Sequence, residues 1–171
     1  MKFNDFNYYD YFDKFCCALN KGGLFLVVND PDGKPNPMTI GWATIGTIWY
    51  KPIMTVLVRP SRHTFSLIEK NENFTVCVPG EDKLNEELAF CGTKSGRDFD
   101  KVKECNFEME KGRLENTSII KGCQIFYECK TVHKNDVLKP ELESNIISKY
   151  YPEGDFHRIY YGEIVHSYIK N

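Results

Sequence analysis

The sequence lacks the features that mark several common classes of protein. Its 171 residues carry a formal net charge of only −2, and the basic residues are dispersed, which argues against general nucleic-acid binding. No apolar run approaches the roughly 18 to 20 residues of a membrane-spanning helix. The first residues, MKFNDFNYYDYFDKF, are too acidic and too interrupted for a secretory signal. These absences predict a soluble, cytoplasmic protein whose partners include neither nucleic acid nor a membrane.

Motifs for a structural metal and for a separate nucleotide-binding domain are also missing. No C-x-x-C pair is present, and no G-x-G-x-x-G follows a strand. Seven cysteines, an odd number without regular spacing, indicate free thiols in a reducing compartment. Cys77, Cys123 and Cys129 lie in apolar runs, where a thiol packs as a small hydrophobe. Zinc held by Cys123, Cys129 and His133 is a less favoured alternative, because a fourth ligand is missing, and we expect no metal.

What the chain does contain is a series of short strand-like segments. With 42% hydrophobic and 14% aromatic residues, it can bury one substantial core, so we expect a single domain over residues 1–171. Strands are predicted at 24–29, 38–47, 53–58, 74–78, a segment ending near 110, one starting near 113, 123–132 and 158–168. Helices are predicted at 9–19, after Ser61, and at 82–90 and 141–149. Strands outnumber helices in a pattern typical of an antiparallel barrel with Greek-key connections.

The junction after the strand predicted at 53–58 has the composition of an anion site. A proline stops this strand, and Ser61 is a favourable N-cap for the helix that follows. The positive end of that helix would meet the hydroxyls of Ser61 and Thr64 and the guanidinium groups of Arg59 and Arg62. This combination suits a phosphate monoester. On these residues alone, a capped surface helix flanked by solvated arginines fits equally well.

Seven short motifs, in a fixed order along nearly the whole chain, point to one family. They are the Asp- and Gly-rich turn at 30–37, N-x-M-T-x-G-W at 36–42, Lys51-Pro52, R-P-S-R-x-T at 59–64, Asn73-Phe74, S-G-R-D at 95–98 with Lys101, and G-D-F-H at 154–157 leading into Y-Y-G-E. Together they resemble the flavin reductase-like, FMN-binding split-barrel proteins, a group that includes flavoredoxins and small ferric reductases. The resemblance implies a mainly β fold, namely a split β-barrel with Greek-key topology and a few short helices.

The same resemblance implies which residues hold FMN. Residues of one segment are expected beside the isoalloxazine ring, as side chains or through main-chain groups: Asn36, Met38, Thr39, Ile40 and Trp42. A second set is expected at the phosphate and ribityl chain: Arg59, Ser61, Arg62, Thr64, Ser95 and Lys101. The alternatives from the residues alone are a core aromatic for Trp42 and an ordinary surface lysine for Lys101.

His157 is the residue that the resemblance implies as the catalytic candidate. Its neutral imidazole would face the flavin or the substrate. The family pattern is G-D-H, and here Phe156 is inserted between Asp155 and His157. The alternative is a histidine at a strand edge that is hydrogen-bonded to the backbone.

The function implied by the resemblance is that of an oxidoreductase. Hydride would pass from NADH or NADPH to FMN, and electrons would then pass to free flavin, ferric complexes or another small acceptor. The nicotinamide has no domain of its own, so it would bind transiently in a ping-pong cycle. One alternative is a flavoredoxin-type electron carrier with a protein redox partner. Another is a related barrel that stores or degrades a cofactor such as haem.

The resemblance also implies a homodimer whose interface forms part of the flavin site. The segments 3–15 and 156–168 are rich in Tyr and Phe, and they are expected to expose these aromatics for burial between subunits. The alternative is that the aromatic side chains fold back onto their own barrel.

Overall fold

The computed structural model describes residues 2–170 and shows a mainly β architecture. The strands are β1 (Phe3–Asp5), β2 (Leu24–Asn29), β3 (Pro35–Ile40), β4 (Ala43–Ile48), β5 (Lys51–Val58), β6 (Asn73–Pro79), β7 (Met109–Lys111), β8 (Ser118–Ile120), β9 (Cys123–Asp136) and β10 (Arg158–Lys170). The α-helices are α1 (Phe12–Lys21), α2 (His63–Ile68), α3 (Asn85–Thr93), α4 (Lys101–Glu104) and α5 (Ser144–Tyr150), and a 3₁₀ turn covers Lys139–Glu141.

Eight of these strands form one antiparallel sheet, in the order β3-β2-β6-β9-β10-β5-β4, with β1 added beside β10. The end strands β3 and β4 are joined only by Gly41 and Trp42. Side chains of β3 and β5 share one core, so the sheet curls until its two ends face each other. Between residues 2 and 170 no ladder closes β3 onto β4, and the barrel is therefore split at this point.

Strand β2, near the centre of the sheet, is covered on both of its faces. All six of its residues are buried. Leu24, Leu26 and Val28 point into the barrel core, whereas Phe25 and Val27 belong to a second core on the outer face. That outer core also contains residues of α3 and β8. Because both faces of β2 are covered, its sequence is apolar from Leu24 to Val28 instead of alternating.

The cysteines are free thiols, and the packing role predicted for three of them is confirmed. Cys77 and Cys123 lie in the outer core, and Cys129 lies in the barrel core. Burial raises the pKa of Cys129 well above its usual value. In residues 2–170 no group of three or more His, Cys, Asp or Glu side chains is placed to hold a metal ion.

Some local predictions are wrong for identifiable reasons. The single strand predicted at 38–47 is two strands, because the chain turns at Gly41 and Trp42. Ser61 does not cap α2, which begins at His63 with Arg62 at the N-cap position and no side-chain cap. The strand predicted to start near 113 starts at Ser118, and β1 and α4 were not predicted.

The prediction that the aromatic-rich ends are exposed is also largely wrong. Phe3 packs edge-on against Phe126 at 5.8 Å, and Tyr160 and Tyr168 are buried. In these two segments only the aromatic rings of Tyr9 and Phe12 are exposed. No helix in the described part of the chain is long and apolar enough to cross a membrane.

Candidate functional site

Three adjoining cavities beside β3 are lined by all twelve residues that the sequence motifs indicated. The first cavity, of about 240 Å³, is lined by Met38, Thr39, Ile40, Gly41, Trp42, Leu57, Arg59, Arg62, Gly92 and His157. The second, of about 280 Å³, is lined by Met38, Ser61, Arg62, His63, Thr64, Thr93, Lys94, Ser95, Gly96, Arg97, Asp98 and Lys101. The third, of about 150 Å³, contains Asn36 and shares His63, Gly96 and Lys101 with the second. Since the cavities share lining residues, they adjoin one another along β3.

The first cavity combines a free strand edge with an aromatic wall. Strand β3 is an end strand, so the backbone groups on one of its edges are not used by any ladder in residues 2–170. The ring of Trp42 stands edge-on to Tyr150 at 5.2 Å and lies 4.9 Å from the ring of His157. Trp42 is 36% exposed, so the alternative that it is a core aromatic is wrong. Flat apolar contact and backbone donors are what a planar heterocycle requires.

His157 is a buried, neutral imidazole with one nitrogen already engaged. The Nδ1 atom of His157 lies 2.7 Å from the hydroxyl oxygen of Tyr151, and both residues are buried. Burial, with a smaller contribution from the Arg59 guanidinium, lowers the pKa of His157 to about 4, while Asp155 opposes this shift. The imidazole is therefore uncharged at neutral pH, and Nε2 is the nitrogen left for the cavity.

Arg59 and Ser61 hold the loop at 150–157 against the site. The guanidinium of Arg59 donates to the carbonyl oxygens of Tyr150 at 2.7 Å and Asp155 at 3.1 Å, and it lies over the Tyr151 ring. The hydroxyl and backbone N–H of Ser61 both donate to the Asp155 carboxylate, at 2.6 and 3.1 Å. These polar groups are thus engaged with the chain's own loop, and they position it over the first cavity.

The second cavity is electropositive. Four cationic side chains and one carboxylate line it, together with four hydroxyl groups: Arg62, Lys94, Arg97 and Lys101; Asp98; Ser61, Thr64, Thr93 and Ser95. Backbone carbonyls orient two of the guanidinium groups, because Arg62 donates to Gly92 and Arg97 donates to Ser61 at 2.9 Å. Helix α2 has only six residues, so side chains supply most of this positive charge.

Lys101 is a buried cation at the meeting point of the second and third cavities. It is 4% exposed, and its ammonium donates to the carbonyl oxygens of Pro37 at 3.1 Å and Cys91 at 3.0 Å. Burial lowers its pKa. The surface-lysine alternative is therefore wrong, and Lys101 ties β3 to α3 while its charge remains beside the cavities.

Asn36 joins the third cavity to the second. Its side-chain amide donates to the hydroxyl of Thr64 at 2.9 Å. A Cβ atom at Gly96 would lie 2.2 Å from the Asn36 Oδ1 atom, so only glycine leaves room for this arrangement. Close backbone approach, and not a positive φ angle, explains the glycine of the S-G-R-D motif.

Several residues that line or support the site were not identified from the sequence. Arg97 lies inside the S-G-R-D motif, and His63 lies between Arg62 and Thr64. Both could therefore have been predicted from their positions within the motifs. The roles of Tyr151 and Asp155 could not be predicted in this way. Asp155 contacts Ser61, which is 94 residues away in the sequence, and the contact of Tyr151 with His157 depends on the conformation of the loop.

The chain belongs to the flavin reductase-like family, an FMN-binding family with a split-barrel fold. The family model described as the flavin reductase like domain matches residues 19–171. The chain is similar to the crystal structure of a flavoredoxin from Methanosarcina acetivorans, with 26% identity and a TM-score of 0.68, covering 86% of this chain and 68% of that one.

Two further proteins are similar to the chain. An FMN-binding domain of a flavin reductase-like enzyme from Shewanella baltica has a similar fold, with a TM-score of 0.66 and 21% identity, covering 98% of this chain and 77% of that one. An uncharacterized protein of Archaeoglobus fulgidus is 29% identical over 143 residues, which is 83% of this chain and 69% of that protein. The mainly β split-barrel fold expected from the sequence is thus confirmed.

Proposed function

We propose that the protein is an FMN-dependent oxidoreductase that takes hydride from NADH or NADPH and passes electrons to free flavin, ferric complexes or another small acceptor. The observation that carries this proposal is that an aromatic cavity adjoins an electropositive one, with Met38 and Arg62 lining both. FMN has the matching polarity, since an apolar, planar ring lies at one end and a phosphate dianion at the other. When bound, FMN supplies the redox chemistry, and the chain supplies binding and electrostatics.

The donor set of the site fits FMN. In this proposal Met38, Thr39, Ile40 and Trp42 hold the ring in the first cavity. The phosphate and ribityl chain are held by residues of the other two cavities: Asn36, Arg62, Thr64, Ser95, Arg97 and Lys101. Ser61 instead helps to hold the loop at 150–157, because its hydroxyl and backbone N–H donate to Asp155. Arg59 contributes mainly by holding the loop at 150–157, because its guanidinium donates to two carbonyl oxygens of that loop. His157 is the catalytic candidate.

Two electrostatic effects of the chain support this assignment. A phosphate loses hydration energy when it binds, and the cations of the second cavity compensate for this loss. The first cavity contains a neutral imidazole beside the guanidinium groups of Arg59 and Arg62, so His157 offers a hydrogen-bond donor without adding a further positive charge near a cationic nicotinamide ring.

The proposal is tested first by spectroscopy and titration. The purified protein should show the absorbance doublet of a flavin, or acquire it on mixing with FMN, and riboflavin should bind much more weakly. Equal affinity for FMN and riboflavin would contradict the assignment of the phosphate. A Soret band in place of the flavin doublet would support a haem-binding role instead.

A flavoredoxin-type electron carrier is the second candidate, and the similarity to the Methanosarcina acetivorans flavoredoxin favours it. Anaerobic mixing of the FMN-loaded protein with NADH or NADPH separates the two functions. Loss of flavin absorbance within seconds supports the enzyme. Flavin that stays oxidised with both nicotinamides, but is reduced by dithionite, supports the carrier.

We also propose that the protein is a homodimer that shares the flavin site. Two neighbouring exposed aromatics lie at the β4–β5 turn, where Trp49 is 55% exposed and Tyr50 is fully exposed. Trp49 contacts His133 and Tyr161 on the neighbouring strands, at 5.8 and 6.2 Å between ring centroids. Light scattering at micromolar concentration should give twice the chain mass of 19.9 kDa. A monomer with full FMN affinity would exclude a shared site.

A further inference from the structure

We infer that Tyr151 is a positioning residue, which fixes the imidazole of His157 in the tautomer that carries its proton on Nε2, the nitrogen left to face the first cavity. The purpose of this arrangement rests on the proposed function, because a ligand in the first cavity would meet that proton. Tyr151 itself acts through His157 and not on the ligand.

The geometry of the contact supports this role. The Tyr151 hydroxyl oxygen lies 2.7 Å from Nδ1 of His157, within a short hydrogen bond. Tyr151 is 4% exposed and His157 is 9% exposed, so water competes little for either group. In residues 2–170 no other hydrogen bond engages the His157 ring, which leaves Nε2 without a protein partner.

The ring of Tyr151 is itself restrained. The guanidinium of Arg59 lies 4.9 Å from its centroid, and the ring of Phe156 stacks on it at 4.8 Å with an interplanar angle of 21°. Arg59 also donates to carbonyl oxygens on both sides of Tyr151 in the sequence. The hydroxyl therefore reaches Nδ1 from a fixed direction.

The groups around the pair indicate that the Tyr151 hydroxyl, and not Nδ1 of His157, carries the proton of this hydrogen bond. Burial raises the pKa of the Tyr151 phenol, and the Arg59 guanidinium opposes this shift only in part, so the phenol stays protonated at neutral pH. Within residues 2–170 Nδ1 is the only hydrogen-bond partner of the Tyr151 hydroxyl, so the phenol proton would lack an acceptor if Nδ1 carried the imidazole proton. The charged groups that act on His157 are Arg59, which disfavours the imidazolium, and Asp155, which favours it.

The consequence is a neutral N–H donor at a fixed place in the first cavity. Such a group donates a hydrogen bond to an oxygen or nitrogen acceptor on the ligand, and it does not remove a proton from it. The site would therefore select ligands that present a hydrogen-bond acceptor beside Trp42.

The test measures the tautomer directly in the cofactor-free protein. Long-range proton–nitrogen NMR of protein with ¹⁵N-labelled histidine distinguishes Nε2–H from Nδ1–H by the two ring-nitrogen shifts. Wild-type His157 should show the Nε2–H pattern at pH 7. An Nδ1–H pattern in the wild type would overturn the proposal without any variant.

The Tyr151→Phe variant keeps the ring and its stacking but removes the hydroxyl. We expect its His157 shifts to move towards a mixture of tautomers and its titration midpoint to rise by about one pH unit, because a hydrogen bond to the neutral form is lost. Tyr150→Phe is the matched control and should leave both unchanged. Unchanged shifts in Tyr151→Phe would show that Tyr151 only packs. If FMN fails to bind while these shifts move, the proposed function fails and the role of Tyr151 stands.

Discussion

The ammonium of Lys101 lies 3.1 Å from the carbonyl oxygen of Pro37, in the interior of the protein. This contact, with the second one to Cys91, joins the edge strand of the site to the end of α3. A cation in this position both organises two walls of the site and adds positive charge to it. The two effects can be separated by substitution.

Lys101→Met should lower both stability and FMN affinity. Methionine keeps much of the apolar stem but leaves two carbonyl oxygens without a charged donor, so the free energy of unfolding should fall by about 2 kcal/mol. Urea denaturation and FMN titration measure the two effects. The matched control is Lys103→Met on the same helix, where the side chain is 83% exposed and both quantities should stay near their wild-type values.

Arg97→Ala and Arg59→Ala should affect flavin binding in different ways. Arg97 lines only the second cavity, so its loss should weaken FMN by about 1–3 kcal/mol and leave riboflavin unchanged. Arg59 holds the loop at 150–157, so its loss should weaken FMN and riboflavin alike. Fluorescence-quenching titrations with both flavins are the measurement. A phosphate-selective loss in Arg59→Ala would instead place its guanidinium at the phosphate.

Gly96→Ala should disturb the site without unfolding the protein. The added methyl would lie 2.2 Å from the Asn36 Oδ1 atom and 2.8 Å from a ring carbon of His63. We expect FMN affinity to fall on the order of tenfold, since a displaced group at a site costs about 1.4 kcal/mol or more. Gly46→Ala is the control, because nothing lies within 4 Å of its added Cβ. Equal FMN affinity in the two variants would contradict the role of Asn36.

His157 should make the protein less stable in mild acid. Its pKa is lowered to about 4 in the folded state, whereas an unfolded histidine titrates near 6.5. Between these two pH values the unfolded chain binds more protons than the folded one, so the free energy of unfolding rises with pH. The stability that neutral His157 contributes is therefore lost as the pH falls from about 6.5 towards 4. The full contribution is about 3 kcal/mol. Urea denaturation from pH 7 to 4.5 should show a steeper decline for wild type than for His157→Gln.

The sequence predicted the composition of the site better than its internal contacts. The motif residues lie within short segments, and strand β2 follows directly from an uninterrupted apolar run at 24–28. The break at Gly41 and Trp42 was not predicted, because residues 38–47 are mostly apolar or β-branched and a glycine within such a run does not by itself specify a turn. The chain turns there because β3 and β4 lie at opposite ends of the curled sheet.

Long-range contacts account for the other errors. Ser61 has the composition of an N-cap, yet its hydroxyl donates to Asp155, 94 residues away in the sequence. Lys101 resembles a surface lysine in a charged loop, and its burial depends on the approach of β3 to α3. No local pattern records such partners, because they are set by how the sheet curls.

The position of β10 has a consequence for the order in which the molecule is assembled. This strand pairs with β1, β5 and β9, and it follows directly on the loop that Arg59 and Ser61 anchor. Contacts so distant in sequence form late and slowly, because a long chain segment must first be ordered. Acquisition of flavin fluorescence quenching during refolding should therefore lag behind the formation of the early hairpins and report the completion of the native sheet.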